Sequence, residues 1–85
     1  MLGIKIPIIA VFNTDGKVLP IYGKINTSDG AEVVHFMKVD QLYGDGCNDK
    51  DFMKFICKYP LGETGLCREI KICFVAREHT WYIIS

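Results

Sequence analysis

The ten acidic and ten basic side chains of this 85-residue chain cancel, so it lacks any charge excess. Nucleic-acid binders draw much of their affinity from phosphate neutralisation and usually carry an obvious basic surplus. The balance argues against that class and, by removing repulsion between copies, favours self-association. Long apolar runs are missing as well. The stretch from Ile6 to Phe12 contains Pro7 and ends in Asn13-Thr14-Asp15-Gly16, whereas a membrane-spanning helix takes about 20 residues. It also lacks the cationic start and small-residue cleavage site of a signal peptide. The expectation is a cytoplasmic protein with no membrane partner. Repeats, low-complexity tracts and linkers are absent too, which leaves residues 1–85 as a single small domain.

Four cysteines are present, Cys47, Cys57, Cys67 and Cys73, but no Cys-x-x-Cys pair, which removes the zinc-knuckle and thioredoxin-like readings. Cys67 and Cys73 on one extended strand lie roughly 20 Å apart, too far to share a metal or a bridge. The expectation is reduced cysteines acting as small buried hydrophobes. His35 falls on a strand and His79 in a turn beside Glu78. Neither has the Cys or Ser and the orienting carboxylate that nucleophilic catalysis requires. The segment around Asp45, Asn48, Asp49 and Asp51 has spaced oxygen ligands but no late bidentate Glu, and Lys50 sits inside it; it reads as a solvated loop rather than a calcium site. These absences predict no enzyme, no metal and no cofactor.

What the chain does contain is β-structure. Turn signals at residues 13–16, 26–30, 44–46, 60–65 and 77–79 separate runs rich in Ile, Val, Phe, Tyr and Lys. That spacing is typical of an all-β meander. Strands are predicted over 5–12, 17–25, 32–42, 52–59, 68–76 and 80–84. Asp15-Gly16 should form a type I turn with glycine in the left-handed region beside a bulge. Pro7 and Pro20 have no N–H to donate, so each belongs at a sheet edge or a bulge.

Residues 48–59 admit two readings. Asn48 could cap a helix in which Lys50, Lys54 and Lys58 recur four apart and Pro60 ends the run. Met53, Phe55, Cys57 and Tyr59, however, alternate strictly. Paired with the following strand, Met53, Phe55 and Cys57 would meet Phe74, Ile72 and Ile70, and Lys58 would oppose Glu69. The hairpin accounts for both segments and is preferred.

Strands one and two are apolar on both faces, with Ile6, Ile8 and Ala10 on one and Ile9 and Val11 on the other. A sheet with one wet face should alternate polar and apolar residues. Either the loop at 43–51 covers the second face or a partner does. Aromatic residues, with Tyr22, Phe36, Phe52, Phe55, Tyr59, Phe74, Trp81 and Tyr82 all assigned to strands, are expected in the core. Phe55, flanked by Lys54 and Lys58, is the best candidate for stacking on a base.

The residues Met53 to Tyr59, Cys67 to Phe74 and Trp81-Tyr82-Ile83 resemble small β proteins of Gram-positive anaerobic bacteria that have no established activity. Lys38 to Leu42 and the early turn from Asp15 to Pro20 are similar to theirs as well. The chain departs from that pattern in its long loop from Pro60 to Leu66, and in Thr80 where the others have Arg before Trp. The resemblance implies a bacterial protein with a six-stranded, barrel-like fold and no catalytic role.

The fold expected is therefore all-β, a small antiparallel barrel or strongly curved sheet of five to six strands, closed by Trp81 to Ile84. The function expected is a non-enzymatic protein-interaction module, self-associating as a homo-oligomer or docking on a protein partner. Ile9 and Val11 are its candidate interface residues. The alternative is a small barrel that binds nucleic acid.

Overall fold

A computed structural model describes residues 3–27, 30–42, 52–62 and 64–84. The described residues form seven strands: β1 (Ile8–Phe12), β2 (Val18–Thr27), β3 (Gly30–His35), β4 (Lys38–Leu42), β5 (Phe52–Pro60), β6 (Cys67–Val75) and β7 (Thr80–Ile84). A 3₁₀ turn, Ala76–Glu78, joins the last two. They make two antiparallel sheets, one ordered β1-β2-β3 and the other β4-β5-β6-β7. The all-β expectation holds; among the described residues the ladders make two separate sheets and not one closed barrel.

The first hairpin forms as its turn residues require. Gly16 has φ of 87°, its N–H donates to the Asn13 carbonyl, and the Asn13 N–H donates to Lys17. The Asp15 carboxylate accepts from the Lys17 N–H. Further along the ladder, Ile9 pairs with Tyr22 but Ala10 pairs with Pro20, so Ile21 is the extra residue of a β-bulge. Pro20, fully buried, lies beside that bulge, where its missing donor is tolerated.

The span expected as one strand over 32–42 is two. The chain leaves the first sheet at Phe36 and enters the second at Met37. The Phe36 N–H donates to the Ile21 carbonyl at 2.8 Å, and the Met37 N–H donates to Lys58 of β5 at 2.7 Å. Phe36 therefore lies at a corner and not within a strand. Strands that change sheets at such bends are how two sheets can share one core at an angle. The N-terminal segment behaves likewise. Residues 4–6 lie along β7, with Ile83 donating to Ile4 and Ile6 donating to Trp81. Past Pro7, whose carbonyl accepts from Lys24, the chain continues beside β2 as β1. β1 proper thus begins at Ile8, later than the expected residue 5.

Residues 52–60 are a strand, and the register matches the expected one: Met53 with Phe74, Phe55 with Ile72, Cys57 with Ile70, and Lys58 with Glu69. Ile6, Val34 and Phe36 pack from one side against Phe55, Cys57, Tyr59, Ile72, Phe74 and Trp81 from the other. Trp81 is the hub. Its ring centroid lies 4.8 Å from that of Phe74 and 5.7 Å from that of Phe55. Among the described residues no helix is long and apolar enough to cross a membrane.

Candidate protein-docking face

The bulge at Ile21 decides what the first sheet shows to solvent. Side chains alternate between faces along a strand, and an extra residue reverses the alternation beyond it. On one face Ile8, Ala10, Val18 and Ile25 pack on the core, together with the buried Val34. On the other, Ile9, Tyr22 and His35 lie side by side across the three strands, Val11 faces Leu19, and Lys24 faces Val33. Ile9, Val11, Leu19, Tyr22 and Val33 are between 41% and 64% exposed. Five large apolar side chains on one face of a three-stranded sheet form a contiguous patch. That differs from singly scattered exposed residues, which need no explanation.

A shallow groove of about 210 Å³ crosses this face, lined by Pro7, Ile9, Tyr22, Lys24 and Val33 among others. The backbone of Gly23 also lines it, while the Cα hydrogen that replaces a side chain there points inward to Phe36. The Tyr22 ring packs on the His35 imidazole with centroids 5.0 Å apart, which holds both rings along one edge of the patch. No acidic side chain among the described residues lines this groove. Among the described residues no three His, Cys, Asp or Glu side chains gather as a metal site.

Among the described residues, the side chains with shifted proton affinity lie elsewhere. Burial, then the nearby Asp40 carboxylate, pushes the Cys57 thiol up to about 12. The Tyr82 hydroxyl donates to Glu78, and that bond is the first cause of its raised pKa. Cys57 and Cys73 are buried and Cys67 is exposed; all three are present as thiols. Cys47, and the loop at 43–51, expected to be solvated and one of the two candidate covers for strand one, lie outside the described residues.

The structure thus puts Ile9 and Val11 together on the outer face of β1, while Ile6 is buried and Ile8 and Ala10 are partly buried against the core. Phe55, the expected stacking candidate, is 2% exposed and belongs to the core. A base cannot reach it. Leu19, Tyr22 and Val33 escaped the sequence reading because their faces depend on the bulge. Comparison of the chain with protein-family models, with curated proteins and with solved structures finds no match.

Proposed function

We propose that this domain is a non-catalytic protein-interaction module that docks through the outer face of β1-β2-β3, with Ile9 and Val11 inside the contact. The observation that carries this reading is the apolar patch of Ile9, Val11, Leu19, Tyr22 and Val33 on a face the core does not use. Each such side chain has roughly half its area left to cover, worth about 0.7–1.5 kcal/mol, so the five together can offset part of the entropy cost of association. We also take the two sheets to act as one partly closed barrel. The support is backbone bonding at both corners, from residues 4–6 to β7 and from Met37 to β5. Such a frame would hold the docking face rigid. The nucleic-acid alternative has less behind it, because its stacking residue is buried and the charges balance.

Replacing Ile9 or Val11 with Glu tests the reading. Both side chains are exposed, so the change should alter stability by no more than about 0.5 kcal/mol and leave the far-UV circular dichroism unchanged. If the contact is between copies, size-exclusion chromatography with light scattering will show the variant as a smaller species than wild type. A wild type that is monomeric at high micromolar concentration rules out self-association and leaves a different protein as the partner. Loss of folding in both variants would show that this face is core and overturn the proposal.

A further inference from the structure

Resting on the docking face proposed above, we infer that its partner is a polypeptide segment in which apolar side chains are flanked by carboxylates, and not a second copy of this chain. The inference comes from how charge is distributed over an otherwise neutral molecule. On the outer face of β1-β2-β3 the side chain among the described residues that carries a full charge at neutral pH is Lys24. The acidic residue of these strands, Glu32, pairs with Ile25 on the opposite face. Lys24 and Pro7 also line a second, larger cleft of about 470 Å³, together with Lys5, Ile4 and Ile83. The groove and the cleft therefore adjoin, and both carry lysine ammonium groups beside aliphatic walls. Lys5 and Lys24 are exposed and their side chains form no ion pair or hydrogen bond among the described residues. The ammonium groups thus remain available to a carboxylate. A two-fold dimer centred on the groove would instead bring the Lys24 ammonium of one copy close to that of the other, with no carboxylate of these strands on this face to sit between them. Like charges so placed disfavour pairing, whereas complementary charges speed encounter and fix the docking register.

Titration of isotopically labelled protein with three synthetic peptides, followed by amide chemical shifts, tests this. The first carries leucine and isoleucine flanked by glutamates. The second has lysines in place of the glutamates, and the third keeps the glutamates but has serines at the apolar positions. The expected result is saturable shifts at Ile9, Tyr22, Lys24 and Val33 with the first peptide only. Raising the salt should weaken that binding, and the Lys24→Glu variant should bind roughly fivefold less tightly, as for reversal of a rim charge. Equal binding of the lysine peptide, or no shift on this face at millimolar glutamate peptide, overturns the inference. Light scattering on the same samples separates this failure from that of the docking face itself. A wild-type dimer that Ile9→Glu dissociates keeps the face and makes the partner a second copy. A wild-type monomer whose Ile9→Glu variant unfolds removes the face as well.

Discussion

At Gly23 the inward side of β2 has space for a hydrogen atom only. A methyl group built there would stand 2.7 Å from the Phe36 ring and 3.2 Å from the Ile8 side chain. Phe36 is itself buried at the corner between the sheets and cannot swing away. Gly23→Ala should therefore cost about 1–3 kcal/mol, the usual penalty of overpacking, visible as a lower urea midpoint with an unchanged slope. An unchanged midpoint would mean that Phe36 has freedom the packing denies it. Cys57 makes a different demand. Its thiol is held protonated up to about 12, against an ordinary value of 9.0, first by burial and then by Asp40. Between those values the unfolded chain gives up the proton and the folded chain keeps it. The protonated thiol's contribution is therefore full below pH 9 and is lost as pH rises toward 12, at no more than about 1.4 kcal/mol per pH unit. Cys57→Ala will be less stable at neutral pH through lost packing, and its stability should fall less steeply above pH 9 than that of wild type. Parallel alkaline limbs in the two proteins would remove Cys57 as a cause.

Among the elements, the corner at Phe36-Met37 bears the most structural consequence for its length. Two successive amides serve two sheets, one bonded to Ile21 and the next to Lys58. The Met37 side chain is 60% exposed, so its value to the fold lies in the backbone. Met37→Pro deletes that N–H and leaves the Lys58 carbonyl without its partner, which should cost about 1–3 kcal/mol. Met37→Ala keeps the N–H and should stay within about 0.5 kcal/mol of wild type. Equal stability of the two variants, measured by thermal unfolding, would show that the corner bond contributes nothing. This element was hard to read from sequence because residues 32–42 carry no turn signal: Val34, Phe36 and Val39 look like one continuous apolar strand. The break arises because one strand end must pair with β2 and the other with β5. The β5-β6 hairpin was legible for the opposite reason. Its pairing is local, its alternation is strict, and a one-residue slip would expose Phe55 and Ile72.

For the molecule as a whole, the core belongs to neither sheet alone. Ile6, Val34 and Phe36 meet Phe55, Phe74 and Trp81 in one cluster, and the backbone links at both corners tie the sheets together. Unfolding should therefore be a single transition, and the lone tryptophan gives a probe at its centre. Trp81 fluorescence and far-UV circular dichroism should lose their native signals at the same urea concentration. Separated midpoints would mean that one sheet survives without the other. Composition, turn residues and alternation alone determined that this chain is a small all-β domain with a tight Asp15-Gly16 hairpin and a buried Phe55-Ile72 register. They also placed Ile9 and Val11 on the opposite face of strand one from Ile6, because that alternation is intrinsic to an extended chain. What only the tertiary structure decided is which of those faces meets solvent, and that Tyr22, Leu19 and Val33 join it. Both outcomes depend on the bulge at Ile21 and on the change of sheets at Met37. Each is set by residues distant in sequence competing for the same core, a constraint that no local pattern encodes.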